Sequence, residues 1–274
     1  MMCAKAGAVT HWSSEFLPTN ERLNPVSNFF SEASGISESE FHRVLDLFEQ
    51  AYAPVIAAKG GRLVVDRLWR NDQVNSRAYL SGDEWHVEMW GGFAREPAMT
   101  FDGFVLAACH ELGHLLGGAP LLKGNFSNDG QADYFASLQC FKKVFGAHDN
   151  VADVHGKVVD PLAELRCRKV YASANDQALC ERGTLAALSL SSLIASLERS
   201  STPSLGTPDP RIVSQTNQGH PSAQCRLDTY FAGLLCPLSP DAELSGVDYR
   251  VGTCHESSGH EYGRRPDCWF APGQ

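Results

Sequence analysis

His110-Glu111-Leu112-Gly113-His114 forms an H-E-x-x-H motif near the middle of the chain. In a helix, residues four apart lie on one face, with about 5–6 Å between their Cβ atoms. This separation suits two imidazole nitrogens that bind one tetrahedral zinc ion. Glu111 lies between the histidines, where it can take a proton from a water molecule beside the metal without being a ligand. The motif therefore predicts a metal-binding helix; the alternative is a core helix with two incidental histidines.

The residues around the motif also predict a helix. Apolar side chains recur at helical spacing and give it a buried face: Phe104, Val105, Ala108, Leu112, Leu115 and Leu116. Asp102 is placed to cap the start of this helix, while Gly117-Gly118 and Pro120 are typical of its end.

The composition limits the partners of the chain. Its 274 residues form one large domain or two small ones. The net charge of −9 and the isoelectric point near 5.5 argue against nucleic acid, which requires a basic surface. No apolar run reaches the roughly 18 residues of a membrane-spanning helix, and the start of the chain has no apolar signal region. We therefore expect no nucleic-acid partner and no membrane span.

The cysteines predict disulfide bonds. Cys3 lies at the start of the chain, and the remaining eight of the nine cysteines form an even set: Cys109, Cys140, Cys167, Cys180, Cys225, Cys236, Cys254 and Cys268. An even set favours disulfides in an oxidising compartment, so we expect a periplasmic or secreted protein; buried thiols in a cytosolic protein are the alternative. A cysteine zinc site is disfavoured because no C-x-x-C pair occurs. We expect Cys167–Cys180 as a local bridge, and further bridges between the 225–236 helix and the 254–268 tail.

Three regions are expected along the chain. Residues 1–36 are polar without a clear period and predict an irregular N-terminal arm. Residues 37–235 carry the regular patterns of the domain that contains the motif. Residues 236–274 form a Cys-rich C-terminal tail packed on that domain.

Local signals place further elements in the domain. Ser37-Glu38-Ser39-Glu40 is a capping box that opens a helix, which Pro54 should kink or end. Strands are expected at 63–65, 74–80 and 85–89. The strand at 85–89 either presents an open sheet edge to an extended peptide or is an ordinary sheet strand. Later helices are expected at 161–170, 174–199 and 221–235.

A second helix is predicted from Asp129 to Phe145 by its apolar face. Asp129 and Asp133 are four residues apart and share a different face. Two acids near a helix N-terminus are favourable for the helix dipole alone. Alternatively, one of them is the third metal ligand and the other orients a ligand.

Three segments of the chain form an ordered set: the H-E-x-x-H motif, Asp129-Gly130-Gln131-Ala132-Asp133, and His220-Pro221 followed by Arg226. This order resembles the zinc peptidase family of the CAAX prenyl endopeptidase, the heat-shock protease HtpX and their soluble periplasmic relatives. In that family, the glutamate of an E-x-x-A-D or E-x-x-x-D segment is the third ligand. An H-P-x-x-x-x-R-like segment follows near the cleft.

The resemblance implies zinc held by His110, His114 and Asp129. It also implies a gluzincin-like α+β zincin fold, in which a small, mostly antiparallel sheet lies beside the metal-binding helix, with additional C-terminal helices and a disulfide-tied tail. Two features depart from the family: an aspartate replaces the ligand glutamate, and only fourteen residues separate His114 from Asp129. Asp133 therefore stays open as the alternative third ligand, or as the acid that orients a ligand.

These observations predict a zinc-dependent endopeptidase that acts on a peptide or protein substrate. Glu111 would be the catalytic base. The resemblance implies that His220 donates a hydrogen bond to the oxyanion and that Arg226 holds the His220 segment in place. One alternative is a disulfide-rich secreted protein that binds metal without catalysis, against which Glu111 argues. Another is a zinc hydrolase of a non-peptide substrate, such as a cell-wall amide.

Overall fold

The β-strands form one small mixed sheet. The structure, a computed structural model, describes residues 13–18, 35–122 and 124–272. The strands are ordered β1-β3-β4-β2, with the bounds β1 (Ser13–Glu15), β2 (Arg62–Leu68), β3 (Ser76–Ser81) and β4 (Glu84–Trp90). β3 pairs antiparallel with both β1 and β4, whereas β2 pairs parallel with β4. The expected α+β class with a small sheet is confirmed, and its one parallel pairing among the described residues makes the sheet mixed.

Helices form most of the other regular structure. They are α1 (Glu38–Ala58), α2 (Gly91–Ala94), α3 (Phe101–Leu116), α4 (Asp129–Phe135), α5 (Phe141–Phe145), α6 (Asn150–Val154), α7 (Pro161–Val170), α8 (Ala174–Glu198) and α9 (Ala223–Leu234). A π-helical turn, Ala136–Cys140, joins α4 to α5. The central helix is α3, which packs against α1, the sheet, α4 and α8.

The N-terminal arm and the sheet edge differ from expectation. Residues 13–15 form strand β1 rather than irregular structure, because their backbone pairs with β3. Residues 1–12 and 19–34 of the expected arm lie outside the described residues. Strand β4 lies between β2 and β3, so it is an ordinary sheet strand and the alternative of an open edge is wrong. Among the described strands, β1 and β2 are the ones at the edges.

The capping residues explain where the early helices begin. The expected capping box of α1 is present, with Ser37 N–H donating to Glu40 and Ser37 Oγ accepting from Glu40 N–H. This helix continues through Pro54 to Ala58. Thr100, not Asp102, caps α3 by accepting a 3.1 Å hydrogen bond from Gly103 N–H. The carboxylate of Asp102 instead pairs with Arg182 on α8 at 2.8 Å.

The later helices keep their expected positions with small changes at their ends. The predicted helix from Asp129 to Phe145 is regular only at its two ends, because the π-helical turn interrupts it. Helix α9 begins at Ala223 with Ser222 as its cap, so Pro221 is not the first helical residue. Helices α7 and α8 lie where the sequence predicts them.

Helix α8 is long and apolar enough to cross a membrane by length and composition alone. An 18-residue window in it has a mean hydropathy of 1.2, and 72% of this window is buried within the structure. It packs against α3, α6, α7 and α9. Its apolar character is typical of a core helix that packs against several neighbours. The expected absence of a membrane span stays a prediction.

Four disulfide bonds join the described cysteines. Cys167–Cys180 links α7 to α8, as expected. Cys225–Cys268 and Cys236–Cys254 tie α9 and its end to the tail, also as expected. Cys109–Cys140, which the sequence did not single out, joins α3 to the end of the π-helical turn. The tail packs on the domain through a second apolar cluster that contains Tyr134, Trp269 and Phe270.

The disulfides predict a simple thiol count. Titration of the denatured, unreduced protein should find one thiol per chain, because eight of the nine cysteines are bonded and Cys3 is left over. The same titration after reduction, which should find all nine thiols, is the control. Eight or nine thiols before reduction would show that the bonds do not form in the isolated protein.

Candidate metal centre

His110 and His114 point their Nε2 atoms toward one another from successive turns of α3. Both side chains are buried, and the two Nε2 atoms are 3.0 Å apart. Nδ1 of His114 lies 2.8 Å from the main-chain oxygen of Ser127, and Nδ1 of His110 lies 2.6 Å from Oδ1 of Asp133. Both partners are acceptors, so each Nδ1 carries the proton and donates it. Each Nε2 therefore presents its lone pair to the other ring.

The protonation of these rings supports the same arrangement. Burial lowers the pKa of His110 to about 4, although the charge of Asp133 opposes the shift, and burial also lowers the pKa of His114. Both rings are therefore neutral near pH 7. Without an imidazolium proton between them, two lone pairs at 3.0 Å repel one another, and a cation would relieve that repulsion.

Asp129 adds a third acceptor from the first turn of α4. Its Oδ1 lies 3.9 Å from Nε2 of His110 and 4.0 Å from Nε2 of His114. This oxygen is buried and has no hydrogen-bond partner among the described residues. In a tetrahedral zinc site with bonds of about 2.0–2.2 Å, two ligand atoms lie about 3.4 Å apart, a value between the 3.0 Å and 4.0 Å separations of these three acceptors. His110, His114 and Asp129 thus form a group that could hold a metal ion.

Asn128 determines where this third acceptor lies. Its side-chain oxygen accepts a 2.9 Å hydrogen bond from Gln131 N–H and so caps the start of α4. Its side-chain nitrogen donates a 2.9 Å hydrogen bond to the main-chain oxygen of Asn217. The cap therefore fixes both the first turn of α4 and its position against the segment that leads to His220.

Glu111 is the buried acid next to His110. Its Oε1 accepts a 2.7 Å hydrogen bond from the hydroxyl of Ser76 on β3, while its Oε2 is buried without a partner among the described residues. Burial raises the pKa of Glu111 well above its usual range, and the Ser76 hydrogen bond opposes that shift. One carboxylate oxygen is thus held by the sheet, and the other is available to a proton donor.

Asp133 lies one turn further along α4, on the Nδ1 side of His110. Its carboxylate accepts two 2.8 Å hydrogen bonds from Arg226 and another from the hydroxyl of Tyr230. Burial alone would raise the pKa of Asp133, but the positive charge of Arg226 and the contact with His110 lower it to about 2. Asp133 is therefore ionised and orients the His110 ring, whereas Asp129 is the acid that lies beside the two Nε2 atoms.

The segment from His220 to Arg226 borders the same centre. His220 Nε2 lies 3.3 Å from Oδ1 of Asp129 and donates a 2.9 Å hydrogen bond to the main-chain oxygen of Glu15. This bond occupies the donor that the expected oxyanion role requires, so that role stays a prediction. Arg226 is buried and donates hydrogen bonds to Asp133 and, at 2.9 Å, to the main-chain oxygen of Phe16. Its guanidinium group also lies 4.0 Å from the centre of the Phe16 ring. It therefore supports Asp133 and β1 as well as its own helix.

The structure brings all the candidate site residues to one place: His110, Glu111, His114, Asp129, Asp133, His220 and Arg226. Sequence reasoning missed Ser76, Ser127 and Tyr230. Tyr230 follows Arg226 by four residues on an expected helix, and this spacing is the signal that could have found it. Ser76 and Ser127 carry no such signal, because their contacts depend on how a strand and a loop pack against α3.

Comparison with protein-family models, with curated proteins and with solved structures finds no match for this chain. The chemistry of the centre is therefore inferred from its own residues and their geometry.

Metal content should distinguish the two acids of α4. Asp129→Ala removes the acceptor beside both Nε2 atoms, so the variant should purify with little bound metal. Asp133→Asn keeps the shape and an acceptor for His110, so it should keep metal with an affinity about 10–100-fold lower. Elemental analysis and chelator competition give these two quantities. A metal-loaded Asp129→Ala protein beside a metal-free Asp133→Asn protein would reverse the assignment.

Arg226→Ala should be strongly destabilising because it leaves the Asp133 carboxylate buried without its cation. The expected loss of unfolding free energy is about 3–5 kcal/mol, measured by urea unfolding. Arg168→Ala is the control, since Arg168 pairs with Glu164 on the exposed face of α7 and should cost at most about 0.5 kcal/mol. Similar losses in the two variants would show that the buried pair has no special role.

Proposed function

We propose that this chain is a zinc-dependent endopeptidase in which His110, His114 and Asp129 hold the zinc ion. The observation that carries the proposal is the convergence of their three buried acceptor atoms. Buried acceptors without a proton between them are unfavourable by themselves, and a divalent cation compensates for this. A set of two imidazoles and one carboxylate is typical of catalytic zinc, which keeps a further position for water.

Glu111 supplies the acid–base chemistry of the proposed reaction. When bound, the zinc ion would polarise the scissile carbonyl and increase the acidity of water. Glu111 accepts the proton of the attacking water at Oε2, while Ser76 holds Oε1 in place. The same carboxyl group then passes the proton to the leaving amine. One water and one peptide bond thereby become a carboxyl group and an amine.

Asp133 and Ser127 hold the two imidazoles for this chemistry. Each accepts an Nδ1–H and so fixes the tautomer that leaves Nε2 for the metal. Arg226 keeps Asp133 ionised by its charge. These contacts fix the ring orientations independently of the ion, which supports a preformed metal site.

Metal binding without catalysis is the second candidate function. It is favoured by the burial of the centre, in which His110, Glu111 and His114 have no exposed surface and Asp129 is 4% exposed. The Glu111 oxygen that has no partner in the described part of the chain favours catalysis instead, because a structural site needs no such acid. Hydrolysis of a cell-wall amide or another non-peptide substrate uses the same residues and is distinguished by the substrate assay.

We also propose that the protein works outside the cytoplasm. The described residues contain four disulfide bonds, and such bonds persist in oxidising compartments. A secreted or periplasmic location follows from this chemistry.

Glu111→Gln should separate metal binding from catalysis. The variant keeps the shape of the side chain but removes the base, so hydrolysis should fall by at least about 100-fold while the zinc content stays unchanged. Activity is measured on a denatured protein, on a quenched fluorescent peptide library and on a cell-wall amide, with and without chelator. Glu38→Gln, in the exposed first turn of α1, is the matched control and should keep full activity.

The wild-type result decides between the candidate functions. Chelator-sensitive peptide hydrolysis that Glu111→Gln abolishes supports the endopeptidase. Stoichiometric zinc with no turnover of any peptide favours the metal-binding protein, and turnover confined to a cell-wall amide favours the non-peptide hydrolase. Full peptidase activity in Glu111→Gln would contradict the proposed base.

A further inference from the structure

The Cys109–Cys140 bond (the crosslink) joins α3 to the end of the π-helical turn. It closes a ring between residues 31 positions apart. This ring contains the acceptors, the proposed base and the acid behind His110: His110, Glu111, His114, Asp129 and Asp133. One covalent bond therefore limits how far the ligands on α3 and those on α4 can separate.

The crosslink differs in position from the other disulfides of the described residues. Cys109 directly precedes His110, and both Cys109 and Cys140 are fully buried. Cys167–Cys180 joins α7 to α8, and the two remaining bonds join α9 and its end to the tail. Of these bonds, the crosslink alone ties α3 to the segment that begins with α4.

Helix α4 depends on its surroundings for its position. It has seven residues, fewer than an isolated helix needs to be stable in water. The π-helical turn that follows departs from the regular helical hydrogen-bond pattern. Helix α4 touches α3 closely at Gly113, where a Cβ atom would lie 2.7 Å from the main-chain oxygen of Ala132. The position of α4 therefore depends on a close backbone contact with α3.

We propose that the crosslink is a positioning element of the metal centre. The inference rests on the metal site of the proposed function, although not on catalysis. The intact crosslink keeps α4 against α3, with Asp129 Oδ1 within 4.0 Å of both Nε2 atoms. When it is broken, α4 moves away and takes the third acceptor with it, while α3 keeps the two histidines together. The expected loss of metal affinity is about 10–100-fold, as for other groups that orient metal ligands.

A bond that only stabilised the fold would behave differently. Its removal would lower the unfolding free energy, and the zinc affinity of the folded fraction would stay unchanged. The two roles are therefore separated by comparing disulfides at different distances from the centre.

The first experiment compares the crosslink with a control disulfide. Cys109→Ala/Cys140→Ala removes the crosslink, and Cys167→Ala/Cys180→Ala removes another buried bond that lies outside the ring. The zinc Kd is measured by competition with a chromophoric chelator, and the absorption spectrum of the Co²⁺-loaded protein reports the ligand geometry. Urea unfolding of the metal-free proteins measures stability. We expect the crosslink variant alone to show a Kd raised by about 10–100-fold and a changed Co²⁺ spectrum.

Two results overturn the proposal: an unchanged zinc Kd in the crosslink variant, or an equal rise in both variants. Each of these leaves the proposed function intact if the wild type binds zinc. A wild type that binds no zinc rejects the proposed function together with the role of the crosslink.

The second experiment uses the wild-type protein and does not require a variant to fold. If the crosslink favours metal binding, bound metal must favour the intact crosslink by linkage. A glutathione redox buffer sets this equilibrium for each bond, because two glutathione thiols reduce one protein disulfide to two thiols and become glutathione disulfide; alkylation with mass spectrometry then locates the protein thiols. Bound zinc should shift the equilibrium of Cys109–Cys140 toward the disulfide by about 10–100-fold, the same factor as the affinity gain, and leave the equilibrium of Cys167–Cys180 unchanged. Equal protection of both bonds, or of neither, contradicts the proposal.

Discussion

Three buried acceptor atoms that converge on one point are the constraint around which the surrounding residues are arranged. The Nε2 atoms of His110 and His114 present lone pairs to each other at 3.0 Å, and Asp129 adds a carboxylate oxygen that has no hydrogen-bond partner among the described residues. Converging buried acceptors are unfavourable by themselves, and a cation bound there would compensate for this. Because the unfolded chain has no such preformed site, the free energy of binding a metal there would add to the free energy of folding. The acceptor for each Nδ1–H, Asp133 or the Ser127 carbonyl, determines which nitrogen would face a bound ion.

The orientation of His110 also depends on an ion pair that is buried beside the centre. Asp133 and Arg226 are both removed from water, and the cost of burying two charges often exceeds their attraction. Hydrogen bonds offset part of that cost, because Tyr230 donates to Asp133 and Arg226 also donates to the main-chain oxygen of Phe16. The pair therefore connects α4, α9 and the residue after β1 at the point where His110 must be oriented. A neutral acceptor in place of the Asp133 carboxylate would make His110 less basic, and its Nε2 would then be a weaker metal ligand.

Local patterns predicted much of the fold, and long-range pairings could not be predicted. The capping box at Ser37 and the helix around His110 are set by residues close in sequence, and both are confirmed. The pairing of β1 with β3 was missed because it joins segments more than sixty residues apart, which no local period reveals. Asp129 and Asp133 share one helix face, so periodicity could not tell their roles apart. The structure separates them because Arg226, 93 residues from Asp133, binds only the second acid.

The Cys-rich tail belongs to the centre although it lies far from the motif in sequence. Arg265 of the tail donates a 2.7 Å hydrogen bond to Gln131 on α4, and Gln131 donates a 2.6 Å hydrogen bond to the main-chain oxygen of Gly117 at the end of α3. The guanidinium of Arg265 also lies 4.8 Å from the ring centre of Tyr134, another residue of α4. A helix of seven residues cannot fix its own position, so these contacts and the Cys109–Cys140 bond hold it from two sides. The disulfides that secure the tail therefore support contacts to the same short helix that presents the third acceptor, so the geometry of the candidate site depends on residues far from the motif in sequence.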